Sequence, residues 1–217
     1  MDNRAQIDAV DRSVGIEERD GERMRVQTLA QTYPSPIDDV WDALTTAERI
    51  PRWFLPVSGD LRLGGTYQLE GNAGGTITAC DAPNSFTATW EYGGGTTWIT
   101  ARLTEVDAEH TRFELEHVAR AADVTDEMWE QMGPSPTGIG WDGALLGLAL
   151  HFTTREIRPD NSEEWLQTDE GRAFMRLSAD RWAEADVAAG ADPATASAAA
   201  DLVYGMYTGA EPAPMPE

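Results

Sequence analysis

Residues 32–54, TYPSPIDDVWDALTTAERIPRWF, constrain the fold more than any other stretch of the chain. Ser35 is placed to cap a helix, Pro36 suits the first helical position, and Asp38, three residues after the cap, completes a capping box. Ile37, Val40, Trp41 and Leu44 then fall at i, i+3, i+4 and i+7, which gives the helix one apolar side. A second short helical turn, 47–50, is expected to stop at Pro51, which has no N–H to donate to the turn before it. Trp53 and Phe54 follow at once as large buried anchors. A strand must precede this unit, because 15–33 reads as extended chain. Within it Asp20-Gly21 is a hairpin dipeptide that folds 16–19 back on 24–31.

From Gly59 onward the helical spacing gives way to short segments separated by turn residues. Segments 66–70, 76–81, 85–92, 97–106 and 111–118 are parted by Gly71–Gly75, Pro83-Asn84, Gly93–Gly95 and 107–110. That spacing predicts an antiparallel meander. Alternation assigns the inward face to Tyr67 and Leu69; Ile77 and Ala79; Phe86, Ala88 and Trp90; Ile99, Ala101 and Leu103; and Phe113, Leu115 and His117. Arg102, Thr104, Arg112, Glu114 and Glu116 take the solvent face, as does Trp98, where an aromatic calls for a covered edge or a partner.

Residues 119–138 read as a loop or partly helical insertion with Met128, Trp129 and Met132. Residues 140–152, GWDGALLGLALHF, read as a long buried helix, since Leu and Ala outnumber β-branched residues. It is apolar all round: Trp141, Leu145, Leu148 and Phe152 form one stripe, Leu146 and Leu150 another. Its second side therefore needs cover. A helix capped by Thr168 and stopped by Gly190 could supply it, with Phe174, Met175, Leu177 and Trp182 buried. Another helix, opened by Asp192-Pro193 and ending near Gly209, would bury Leu202, Val203, Met206 and Tyr207. Pairing with a second copy of the chain is the other way to cover that side. The expected organisation is a flexible arm at 1–14, one domain at 15–158, a helical extension packed on it at 159–209, and a disordered tail at 210–217.

A formal charge of −22, with all sixteen basic residues Arg and scattered, repels nucleic-acid phosphate and anionic lipid, so neither partner is expected. No apolar run approaches a membrane span, and the acidic, polar start lacks the regions of a signal peptide. One cysteine, Cys80, permits no internal disulfide, which fits a cytoplasmic location.

The usual catalytic signatures are missing. His110, His117 and His151 lie far apart, with no metal-ligand spacing, so no metal or cofactor is expected. Cys80 falls on the opposite parity from Ile77 and Ala79, with no base to activate it. No Gly-x-Ser-x-Gly elbow or phosphate loop occurs. His151, near a helix end, suits the dipole there. His117 faces the core, where it is either a hydrogen-bonded core histidine or a catalytic acid or base. What remains is a cavity between sheet and long helix, mostly apolar with a few placed polar groups. Trp53, Phe86, Trp90, Phe113, His117, Met132, Trp141 and Leu145 are its expected wall.

Tyr33, Pro36, Val40, Trp41, Ala43, Leu44, Trp53, Phe54, Gly59, Gly65, Trp90-Glu91, the 111–115 strand, Gly140-Trp141 and Leu145 together resemble the START-like, or helix-grip, superfamily (SRPBCC). Within it they resemble the family named for homology to the activator of the 90-kDa heat-shock protein ATPase. The resemblance runs over about residues 15–152. It implies an α+β helix-grip fold, a curved antiparallel sheet wrapped around a long helix, here with an added carboxy-terminal helical extension. The superfamily includes lipid and hormone binders, polyketide cyclases and co-chaperones, and it offers no shared catalytic set to carry over. Residues 1–21 are too short for the separate amino-terminal domain of the eukaryotic co-chaperone, which argues against a heat-shock-protein partnership. The expected function is binding of a small apolar or aromatic molecule in the cavity, leaning away from catalysis. A cyclase- or hydrolase-like enzyme with His117 as acid or base, and a co-chaperone-like interaction module, are the alternatives.

Overall fold

The computed structural model describes residues 2–154 and 162–209. In chain order these form α1 (Asn3–Asp8), β1 (Asp11–Arg19), β2 (Glu22–Tyr33), α2 (Ile37–Thr45), a 3₁₀ turn (Ile50–Arg52), β3 (Val57–Gly59), β4 (Thr66–Leu69), β5 (Gly74–Asp81), β6 (Ser85–Tyr92), β7 (Gly95–Asp107), β8 (His110–Arg120), α3 (Asp126–Met132), α4 (Ser135–Thr153), α5 (Ser162–Leu166), α6 (Asp169–Ala188) and α7 (Pro193–Thr208). All eight strands join one antiparallel sheet in the order β1-β2-β8-β7-β6-β5-β4-β3. The α+β helix-grip architecture is therefore present. The expected tail at 210–217, and the start of the extension at 159–161, lie outside the described residues.

Register explains what faces inward. Opposed residues share a face, so Cys80, Phe86, Ala101, Leu115, Leu29 and Arg12 form one inward row across six strands. A parallel row holds Ile77, Ala88, Ile99, His117, Gln27 and Val14. The main core lies between these rows, α2 and α4, with Leu29, Tyr33, Phe113, Leu115, Leu145 and Leu148 buried together. The helix α4 is notched by two glycines where neighbours press closest. A Cβ on Gly147 would lie 2.1 Å from the Trp53 carbonyl oxygen, and one on Gly138 would lie 2.4 Å from the Trp182 indole nitrogen.

Helix α6 supplies the cover that the second side of α4 requires. Leu146 packs with Phe174 and Ile7, Ile139 with Met175 and Ala179, and Trp182 joins the main core. Thr168 accepts from Gly171 N and Asp192 from Thr195 N, as their caps should, and Gly209 ends α7 in the left-handed conformation. Met206 and Tyr207, expected inside, are exposed, because α7 turns its Ala196–Ala199–Ala200–Val203 side inward instead.

Several local expectations are corrected. Residues 1–14 are not a loose arm: α1 buries Ile7, and β1 begins at Asp11. Pro36, not Ser35, precedes the first turn of α2 as its cap and offers no side-chain bond; the Ser35 hydroxyl donates to Asp39 at 2.5 Å, so no capping box forms with Asp38. Pro51 does not halt a helix. It sits inside the 3₁₀ turn near its start, where its missing N–H costs little. Segment 57–59 is a short strand, and α4 begins at Ser135, earlier than the helix expected from Gly140. Glu116 is buried rather than solvated, held by Arg19 and Arg102. Trp98 is covered on the outer face by Met24, Val26 and Val118, with the Arg120 guanidinium 4.6 Å over its ring.

The largest inversion is in β5. Its pairing with β6 shifts between Ile77 and Ala79, a bulge that leaves Thr78 extra. Inward parity therefore moves from Ala79 to Cys80, which pairs with Phe86, while Ala79 is exposed.

Candidate functional site

A cavity of about 380 Å³ lies between the sheet, α2, the 3₁₀ turn and α4. Its wall is aromatic because each element contributes large side chains from its inward face. Trp53 and Phe54 stack with ring centroids 5.4 Å apart, Phe54 stacks on Trp141 at 6.3 Å, and Trp90 lies 4.8 Å from Trp141. Trp41 meets Phe86 edge-on at 6.1 Å. Exposed Arg62 and Leu63 mark where the cavity opens, and the bulge in β5 brings Cys80 to the same rim.

Of the expected wall residues, Trp53, Phe86, Trp90, Phe113, Trp141 and Leu145 line this space. Met132 does not: it ends α3 and packs against Ile139, Met175, Ala200 and Val203. His117 does not reach the cavity either, because Trp141 stands in front of it. Sequence reasoning missed Trp41, Phe54, Tyr67 and Ile77 as wall residues, although Trp41 and Phe54 sit in the very stretch that announces the fold.

The chemistry of His117 follows from its two partners. The Trp141 indole can only donate, and it reaches Nδ1 at 3.0 Å. Nε2 lies 2.7 Å from the Thr97 hydroxyl, whose own proton goes to the Trp90 carbonyl at 3.2 Å. Nδ1 is thus the acceptor and Nε2–H the donor, which fixes a neutral tautomer. Burial lowers the pKa from 6.5 to about 4. Both nitrogens are committed, and the ring's effect is to hold Trp141 against the cavity.

That arrangement has a pH consequence. The folded pKa lies below the unfolded one, so the unfolded chain binds the proton first. Stability is then complete above pH 6.5 and falls as the pH drops from 6.5 towards 4, by a total on the order of 3 kcal/mol. Gln at this position can still accept from Trp141 and donate to Thr97. His117→Gln is therefore expected to flatten this part of the profile when urea midpoints are measured at intervals between pH 4 and 7. An unchanged slope would show that other groups carry it.

His151 does not serve the end of α4 as a helix-dipole cation. The Arg49 guanidinium sits 3.1 Å from its Nε2, and burial together with Arg49 lowers its pKa. Arg49 is held in turn by Asp39 and Asp42.

The strongest polar assembly lies on the other side of α4. Arg12 grips Asp142 with two bonds, at 3.2 and 2.7 Å, with both side chains nearly sealed from water. Ser178 and the Trp182 indole also donate to Asp142, at 2.5 and 3.0 Å. Burial pushes this carboxyl upward and Arg12 pulls it back. Four donors and no acceptor for a carboxyl proton favour the ionised form. The cluster ties β1, α4 and α6 together and stands apart from the cavity. Among the described residues no group of His, Cys, Asp or Glu could hold a metal ion, and no helix is long and apolar enough to cross a membrane.

The model of the "Activator of Hsp90 ATPase homolog 1-like protein" family matches residues 34–152, more than half of the chain. CalU16 from Micromonospora echinospora, in its solution structure, is 31% identical with a TM-score of 0.66, covering 84% of this chain and 97% of that one. Its crystal structure gives 29% identity and a TM-score of 0.63, over 84% and 99%. A conserved protein of Enterococcus faecalis, 13% identical, shares the fold alone, with a TM-score of 0.57 over 81% of this chain and 92% of that one. No curated protein matches the chain.

Proposed function

Because the chain belongs to the Activator of Hsp90 ATPase homolog 1-like family, and a fold does not by itself set a function, we propose its role from the cavity: it binds a small apolar or aromatic molecule between the sheet and α4. The observation that carries this reading is an apolar wall rich in tryptophan and phenylalanine around about 380 Å³. That volume falls within the range of small-molecule sites. His117, the one candidate acid or base, spends both nitrogens on Trp141 and Thr97, which favours binding over turnover.

Ile77 offers a direct test, since it is half-buried on the wall beside the bulge. The probe is N-phenyl-1-naphthylamine, neutral and fluorescent in apolar surroundings. Ile77→Trp should fill part of the space and weaken probe binding about tenfold or more, a loss of about 1.4 kcal/mol. The melting temperature should stay near that of the parent. Equal affinity in parent and variant, or no binding by the parent, would overturn the reading.

A further inference from the structure

Resting on that reading of the cavity, we infer how its occupancy is regulated: the contact between Arg49 and His151 is an acid-sensitive latch that holds two of the cavity's walls together and lets go when His151 takes up a proton. The latch joins two wall-building units. Arg49 lies between α2 and the 3₁₀ turn, one residue before Ile50, and Ile50, Trp53 and Phe54 line the cavity. His151 lies in the last turn of α4, whose Trp141, Ala144 and Leu145 also line it. Arg49 Nη1 donates to the Asp39 carboxylate at 2.6 Å and to that of Asp42 at 2.8 Å, which fixes the guanidinium to α2. Nη2 reaches across to His151 Nε2 at 3.1 Å. One turn earlier on α4, the missing side chain of Gly147 lets the Trp53 backbone press against the helix. The latch therefore closes the same seam in which Trp53 is seated.

A guanidinium has only hydrogens to offer, so His151 accepts through Nε2 and carries its proton on Nδ1. Nδ1 is buried and has no hydrogen-bond partner among the described residues, so the closed state gives that N–H nothing in return for its lost water. A second proton would enter at Nε2 and face the Arg49 cation at hydrogen-bond distance, which turns the attraction into repulsion. The surrounding charges point the same way. Burial opposes the charged ring most, followed by Arg49 and then by Arg52 from the 3₁₀ turn; Asp39 of α2 favours it, but its carboxylate is already bonded to Arg49. Asp42 of α2 acts on Arg49 rather than on the ring, and α4 itself sets Phe152 edge-on at 5.3 Å, without charge. The ring's pKa is thus lowered from 6.5. The closed latch is complete above pH 6.5 and is lost as the pH falls through that lowered value.

The test measures the affinity of the full chain for N-phenyl-1-naphthylamine, uncharged throughout, at pH 7 and pH 5. The parent should bind about twofold to fivefold more weakly at pH 5, because protons compete with the closed, binding state. His151→Leu, with no acceptor for Arg49, should bind more weakly than the parent at pH 7 and show no further step. His151→Gln, which accepts without titrating, should restore most of that loss and also lack the step, whereas His117→Gln should keep it. The parent alone gives a second reading: by reciprocity, saturating probe must lower the midpoint of the His151 titration followed through its ring NMR signals. Equal affinity of the parent at both pH values would leave the cavity reading standing and overturn this inference. So would a step that persists in His151→Gln, or a midpoint that the probe does not move. No binding by the parent at pH 7 would sink the cavity reading and this inference together.

Discussion

A chain cut after Thr154 should lose its cooperative melting transition. Residues 162–209 are not an appendage: Phe174, Met175, Ala179 and Trp182 are buried almost completely, and their partners Ile7, Ile139 and Leu146 would be uncovered with their loss. Each large apolar side chain contributes about 1.5–3 kcal/mol when buried. Three of them on α6 alone rival the roughly 5–15 kcal/mol that holds a whole domain together. The cut also strips Asp142 of Ser178 and Trp182, half of its four donors. Circular dichroism melts and size-exclusion chromatography should show a broad, non-cooperative change and aggregation. A shortened chain that stays monomeric and melts as the parent does would show that residues 1–154 stand alone.

The second large effect is expected at Asp142. Asp142→Ala leaves the Arg12 guanidinium buried without its carboxylate, which costs about 3–5 kcal/mol. For a chain of this size that is a fall of roughly 6–20 °C in melting temperature. Replacing both partners, as Arg12→Leu with Asp142→Leu, should recover much of the loss, since neither charge then remains to be desolvated. Urea midpoints on the parent, both single variants and the double variant give the coupling directly. A loss below about 1 kcal/mol for Asp142→Ala would mean that water reaches Arg12 and replaces the missing oxygens.

Much of this fold could be read locally. The meander, the caps at Thr168 and Asp192, and the all-round apolar helix are written in turn residues and periodicity, and the structure contains each of them. The aromatic wall was also legible, because Trp90 and Trp141 sit at inward positions of regular elements and Trp53 directly follows the 3₁₀ turn. What escaped depends on distant partners. Arg12 and Asp142 are 130 positions apart, and nothing near either one announces a buried ion pair. Helix α1 is short and polar, and only the docking of Ile7 against α4 and α6 makes it part of the core. His117 looked like a group facing a ligand, since parity gives its direction but not what stands in front of it. Met132 was misplaced for a related reason: α3 turns it towards α6 and α7, and no strand alternation governs that choice.

The bulge at Thr78 failed to show for a different reason, since neither glycine nor proline marks it. Beyond it, odd and even positions exchange faces, so the lining of the rim is set by how many residues β5 holds as well as by which ones they are. Moving the extra residue out of that strand and into the turn after it would set Ala79 opposite Phe86, swapping a thiol for a methyl group at the opening. The entrance can thus change its chemistry without altering any residue that builds the chamber behind it.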